Sequence, residues 1–210
     1  MAQAGVVAAG GAPGDEPIYV VEGELVALGP RRREQIDLWT RWMNNLEMTR
    51  TLGAPGVYTR EAEEQFFEQK AKGSDTAVGF AIYERASGRP IGNTDLREIS
   101  YKHGTATFGI MIGEPSCWNR GYGTEATRLV LDYAFHVLGL HNVLLTVFAT
   151  NPRGVRAYEK AGFRQIGRRH GAYRLGQQRY DTIYMEALAS DFQSPVLEHR
   201  LHAPQPPAER

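Results

Sequence analysis

Nine consecutive residues, Trp118-Asn119-Arg120-Gly121-Tyr122-Gly123-Thr124-Glu125-Ala126, have the types and spacing to bind an anion. Two glycines one residue apart let the backbone curl tightly and keep side chains out of the way. From Ala126 the apolar residues fall at Ala126, Leu129, Val130, Tyr133, Ala134, Val137 and Leu138, the recurrence of a helix with one buried stripe. Gly139 stands where such a helix turns left-handed and stops. A curled loop running into a helix start gathers free N–H groups at the positive end of the helix dipole, and that suits a phosphate. The chemistry predicted here is capture of a cofactor that carries a pyrophosphate.

Gly121 to Ala126 also satisfies the dinucleotide fingerprint G-x-G-x-x-G/A. That fingerprint follows its strand at once, with an acidic residue about 20 positions further on for the ribose. The strand-like run Thr107 to Ile112 ends too early for this, with Gly113 to Arg120 intervening. The next strand, Val143 to Phe148, closes with Ala149-Thr150-Asn151-Pro152 and no acid. A nicotinamide or flavin dinucleotide therefore fits poorly. A plain helix-start turn is the other alternative, but a second motif follows. Asn151-Pro152 opens a short helix, Arg153 to Ala161, which stops at Gly162 with Phe163 set to pack back on it.

Strand, glycine loop, long helix, strand, Asn-Pro turn and a short helix ending Tyr158-Glu159-Lys160-Ala161-Gly162-Phe163 together resemble the GCN5-related N-acetyltransferase (GNAT) family. The matching segment is Gly109 to Phe163, and the order of elements from about Glu24 to Leu188 agrees. The form of the loop looks most like the branch holding ribosomal-protein alanine, spermidine and antibiotic acetyltransferases. It departs from the family at Trp118, where Gln or Arg is common. The resemblance implies acetyl-CoA as cofactor. Its diphosphate would lie on the backbone of Trp118, Asn119, Arg120, Gly121, Tyr122, Gly123 and Thr124, with Arg120 as charge partner.

The resemblance also implies two parallel strands that splay so that pantetheine slots between them, here Ile110-Met111-Ile112 and Val143 to Phe148. Main-chain groups of Met111 and Ile112 would pair with it, and an N–H there would face the thioester oxygen. Tyr158 is the implied general acid, a phenol protonated at neutral pH that reaches the departing sulfur; its alternative is a packing aromatic. Asn151 is either a turn residue or a partner of the pantetheine amides. Arg153 and Lys160 either touch cofactor phosphates or are solvated helix charges. The family's glutamate before the glycine of this strand is Thr107 here, which cannot act as a base. Asp95 is the first candidate base, and Glu98, Glu114 and Glu47 are the further candidates, as base or as the carboxylate that holds the acceptor's charge. Neither Cys117 nor the histidines show a dyad, triad or metal-ligand spacing, so no metal is expected.

Elements must hold these residues in place. A chain of 210 residues with 42% apolar content suits one domain with a sizeable core, expected over 18–189. Residues 1–17, rich in Ala, Gly and Pro, read as a disordered tail, and 190–210 as a loose C-terminal one. Ile18 to Leu28 reads as a strand. A helix follows Pro30 with Ile36, Trp39 and Met43 on one face, and Thr59 caps another with Ala62, Phe66 and Phe67 facing the core. In the family these two helices wall the acceptor site. Ala77–Glu84, Pro90–Ile99 and Thr105–Ile112 read as an antiparallel meander, and Arg164–Tyr173 with Arg179–Leu188 as a final hairpin. The fold class predicted is α/β: a mixed, mainly antiparallel sheet of about seven strands with helices on both faces.

Basic and acidic residues balance at 24 each, so no overall field draws nucleic acid or an anionic membrane. One cysteine, no membrane-length apolar run and no basic leader point to a cytoplasmic enzyme. The expected activity is transfer of acetyl to a primary amine of a small molecule, of polyamine or aminoglycoside-antibiotic type. Alternatives are a protein N-terminal amine as acceptor, or a catalytically idle acyl-CoA-binding module. Pairing of strand edges between subunits makes a homodimer plausible.

Overall fold

A computed structural model describes residues 17–54 and 56–201. Eight strands form one sheet: β1 (Val21–Glu22), β2 (Val26–Gly29), β3 (Val78–Glu84), β4 (Pro90–Ser100), β5 (Thr105–Ile112), β6 (Asn142–Phe148), β7 (Arg164–Leu175) and β8 (Gln178–Leu188). Their order is β1-β2-β3-β4-β5-β6-β8-β7, antiparallel throughout except where β5 meets β6. On one face lie α1 (Ile36–Met43), α2 (Leu46–Thr49) and α3 (Arg60–Ala71); α4 (Tyr122–Asp132) and α5 (Pro152–Ala161) cover the other. The short helix α6 (Leu197–Leu201) closes the described chain.

The main core lies between the sheet and α4. Val143, Leu145 and Val147 of β6 alternate inward against Ala126, Leu129, Val130 and Ala134. A smaller cluster of Ile36, Trp39, Trp42 and Met48 seals the opposite face against Met111 and Trp118. This second cluster fixes Gly113, where a Cβ would stand 2.1 Å from the Trp42 ring. Among the described residues no helix is long and apolar enough to cross a membrane.

Four local expectations change. The single strand expected over Ile18–Leu28 folds back on itself as β1 and β2, which brings the sheet to eight strands. The cause lies far along the chain. The Glu125 carboxylate accepts the N–H groups of Glu24, Leu25 and Val26 at 2.9, 2.7 and 2.7 Å and ties down the turn. The long helix is α-helical only to Asp132 and continues as a π-turn over Tyr133–Val137. The extra residue in that turn rotates Val137 off the buried stripe, leaving it 45% exposed, before Gly139 (φ +64°) ends the helix. On α3, capped by Thr59 as expected, Phe67 packs on Trp39, but Ala62 and Phe66 face solvent and Glu63 is buried. Only a narrow stripe of α3 meets α1, and burial pushes the Glu63 carboxyl up. The C-terminal segment expected to be loose is seated as far as Leu201. Asp132, fully buried, accepts Ser194 Oγ and the N–H groups of Val196 and Leu197 at 2.6, 3.0 and 2.9 Å. The expectations for residues 1–16 and 202–210 lie outside the described residues.

Candidate active site

Strands β5 and β6 pair only at Thr105↔Asn142, Ala106↔Val143 and Thr107↔Leu144. Past Thr107 they part, because each is held to its other neighbour along its whole length: β5 to β4 as far as Ile112, β6 to β8 as far as Phe148. The facing edges of Phe108–Ile112 and Leu145–Phe148 thus carry backbone donors and acceptors with no strand between them, a slot for an extended polar chain. A cavity of about 440 Å³ follows this slot. Trp118 to Thr124 close one end, and Met48, Thr51, Leu52, Arg97 and Thr107 line the other.

At the first end the backbone turns left-handed twice, at Asn119 (φ +59°) and Gly121 (φ +85°), and α4 begins at Tyr122. A helix start leaves the N–H groups of Tyr122, Gly123 and Thr124 without intrahelical acceptors, at the positive end of the dipole. A Cβ on Gly123 would touch only Ile112, at 3.6 Å, so protein packing does not require the glycine; the space it leaves belongs to the cavity. Trp118 is a wall of the slot. Its Nε1 donates to the Ile112 carbonyl at 2.7 Å, and the Arg153 guanidinium lies 4.0 Å over its ring.

The side chains behind the loop were not legible. Tyr122 turns inward and donates to Glu84 at 2.7 Å, so only its backbone faces the cavity. Glu84 also accepts from Ser87 and Arg89 at 2.7 and 3.0 Å and lies 3.8 Å from Arg120. The hydroxyl donors of Ser87 and Tyr122, aided by Arg89, hold its carboxyl down at about 2. Nothing near Glu84 in sequence hints at this, since it is the last residue of a strand that ends 34 positions before Trp118, where the loop begins.

Arg97, Arg120, Arg153, Arg156 and Lys160 line the cavity and, among the described residues, no carboxylate does. The lining fits a polyanion. Arg156 was missed because it reads as one more solvated charge on α5. Asn151 accepts the Gly154 N–H at 2.9 Å, the N-cap bond of α5, so its turn role is realised and its amide nitrogen remains beside the slot. Tyr158 lies on α5 against Phe108 and Phe163, at 6.2 and 6.1 Å between ring centres, and lines the cavity. Burial pushes its phenol up to about 12, which keeps it protonated and able to donate.

The candidate carboxylates scatter. Asp95 does not line the cavity: its oxygens lie 3.6 Å from Arg31 and 3.0 Å from Arg97, on the sheet face where a Cβ on Gly109 would collide with them. A carboxylate already shared by two guanidinium groups is poorly placed to take a proton from an incoming amine, so the geometry disfavours Asp95 as base. Glu114 faces Arg41 at 3.4 Å, and Glu47 lies in the first turn of α2 near Arg153; neither lines the cavity. Glu98 does not line the cavity either, but it accepts the Thr107 hydroxyl at 2.6 Å, and Thr107 does line it.

Residues 26–164 match the family model described as Acetyltransferase (GNAT) domain. The chain is 32% identical over 118 residues to the spermidine N(1)-acetyltransferase of Vibrio cholerae serotype O1, covering 56% of this chain and 68% of that one. It is 30% identical over 139 residues to the uncharacterized N-acetyltransferase YnaD of Bacillus subtilis, covering 65% and 78%. The crystal structure of spermidine N-acetyltransferase from Vibrio cholerae in complex with CoA and spermine superposes with a TM-score of 0.73 at 24% identity, over 80% of this chain and 97% of that one.

Proposed function

The chain belongs to the GNAT family and is an acetyl-CoA-dependent N-acetyltransferase, and on that premise we propose that it acetylates a primary amine of a small, polyamine-type molecule. The observation that carries the acetyl-transfer half of this reading is the slot between β5 and β6, with a helix start at one end and the Tyr158 ring packed on Phe108 beside its closed end. Acetyl-CoA supplies the acetyl group as a thioester. The backbone of Gly121, Tyr122, Gly123 and Thr124 takes the diphosphate, with Trp118, Asn119 and Arg120 completing the loop. Arg153 and Lys160 approach the phosphates from α5. The open edges of Met111 and Ile112, with the Asn151 amide, bond the pantetheine arm. Tyr158 gives its proton to the sulfur as the carbon–sulfur bond breaks.

The polyamine-type acceptor is supported by the activity of the Vibrio cholerae relative. Calorimetry with acetyl-CoA, followed by thiol release with spermidine, spermine, an aminoglycoside and an alanine-led peptide, tests the proposal. Binding of acetyl-CoA and thiol release with the polyamines is the expected result. No binding of acetyl-CoA would overturn the site assignment, and turnover with the peptide alone would replace the acceptor.

A further inference from the structure

Strand β4 loses register against β5 between Arg97 and Ser100, and at this bulge Glu98 adopts φ +52°. Among the described residues only Glu98 and Asn119 are non-glycine residues with positive φ. Asparagine takes that conformation readily; a glutamate does so only where the surroundings impose it, and such strain gathers at functional positions. Glu98 gains little locally in return. It is exposed, and its polar contact is the Thr107 hydroxyl, which donates to Oε2 at 2.6 Å. That bond fixes the carboxylate and leaves Oε1 for another donor.

The position of Thr107 gives this contact its meaning. Thr107 is the last residue of β5 bonded to β6, so it marks the closed end of the slot. The ring of its neighbour Phe108 packs on Tyr158. Because side chains alternate along a strand, Thr107 points to the opposite face, the one α1 and α2 cover. The Tyr158 phenol and the Glu98–Thr107 pair therefore flank the closed end of the slot from opposite faces of the sheet. Acetyl transfer needs a proton donor for the sulfur on one side and a proton acceptor for the amine on the other.

We propose that Glu98, reaching from the bulge of β4, is the catalytic base that receives the acceptor's ammonium, and that Thr107 is its positioning residue. The bulge thus supplies a carboxylate that β5, with threonine at this position, lacks. The ammonium gives one proton to Oε1 of Glu98, directly or through one water, and becomes an amine. Its lone pair forms the bond to the acetyl carbon as the carbon–sulfur bond breaks, and the sulfur takes the phenolic proton of Tyr158. The second nitrogen proton leaves to solvent, from which the phenolate is reprotonated, and Glu98 gives its proton up to solvent before the next turnover. The products are one amide, one thiol and one released proton.

This rests on the acetyl-transfer reading, and the test separates the two. Thiol release is followed in the full chain with saturating acetyl-CoA and spermidine as the probe amine, beside calorimetry with acetyl-CoA. Glu98→Gln is expected to lower kcat/KM by about 10²–10³-fold, with cofactor affinity unchanged. Glu98→Gly is expected to lose turnover to the same extent while its Tm holds or rises, since glycine relaxes the left-handed backbone. Thr107→Val is expected to cost about tenfold, and Thr107→Ser, which keeps the hydroxyl, to restore the rate. Adding Thr107→Glu to Glu98→Gln returns a carboxylate to the spot and is expected to recover activity. An active wild type with Glu98→Gln within about threefold of it at every pH overturns this inference alone. A wild type that binds no acetyl-CoA overturns the underlying reading and this inference with it.

Discussion

At one end of the cavity the groups proposed to hold the cofactor are backbone amides drawn from a single run, Trp118 to Thr124, on a loop and the first turn of a helix. At the other end they are side chains gathered from Met48, Thr51, Arg97 and Thr107, with Arg31, Asp95 and Glu98 supporting them on the sheet face. The first end is local and depends on which φ angles a few residues can reach. The second depends on strand register and on where α2 happens to pack. A backbone site of the first kind holds an invariant ligand such as a diphosphate and tolerates few changes. A side-chain site of the second kind can be altered one residue at a time, which suits the half of the cavity proposed to meet the acceptor.

The largest expected effect lies where the two ends meet. Tyr158→Phe removes one hydroxyl and keeps the ring packing on Phe108 and Phe163. If Tyr158 serves as proton donor, kcat falls by about 10²–10⁴-fold while calorimetry finds acetyl-CoA affinity nearly unchanged. Unchanged turnover would reduce Tyr158 to a packing residue. Next in size is Gly121→Val. A β-branched residue at φ +85° costs about 1–2 kcal/mol or more and displaces the N–H groups that start α4. Acetyl-CoA affinity should fall by about tenfold or more, and the loss should appear in the cofactor Kd rather than in the KM for the amine. A loss confined to the amine would erase the distinction between the two ends.

The same contrast explains what the sequence could tell. The glycine loop, the Thr59 cap and the helix stops at Gly139 and Gly162 lie within short motifs, where propensity and spacing act directly, whereas the parting of β5 from β6 was implied only by the family resemblance. Glu125 reads as an acid of the first helical turn, yet it fixes a turn about 100 residues earlier. Glu84 holds the loop from the end of β3, and Asp95 is claimed by Arg31, a residue more than 60 positions away. Each pairing follows from sheet register and helix docking, which no local pattern encodes. Glu98 was visible as a carboxylate, but its left-handed backbone was not, because a bulge becomes evident only once β4 and β5 are aligned.

Asp95→Asn sharpens the comparison at the acceptor end. Arg31, with only 11% of its side chain exposed, is pushed down by burial and supported by Asp95. Removing the charge leaves that guanidinium without its carboxylate, at a cost of about 1–3 kcal/mol after allowance for the partly exposed partner. Urea titration should register the loss, while kcat per folded molecule stays within about twofold of wild type. The reverse outcome, full stability with lost turnover, would restore Asp95 as the base.

The smallest effect is a pH dependence confined to the cofactor end. Glu84 is held at about 2, against an ordinary 4.5, by the hydroxyls of Ser87 and Tyr122 and then by Arg89. A carboxyl whose folded value is depressed contributes its full stabilisation above the ordinary value. It loses that contribution as pH falls from about 4.5 towards about 2. Glu84→Gln lacks the charge at every pH. The Tm gap between wild type and variant should therefore be constant above pH 5 and narrow as the solution is acidified through that window. Tyr122 and Arg120 lean on the same carboxylate, so the cofactor Kd of the variant at neutral pH should rise as well. A Tm gap that closes with acid while the Kd stays at its wild-type value would mean that Glu84 supports the sheet end of β3 but not the loop. The cofactor end would then be a backbone site in the strict sense, needing no side chain behind it.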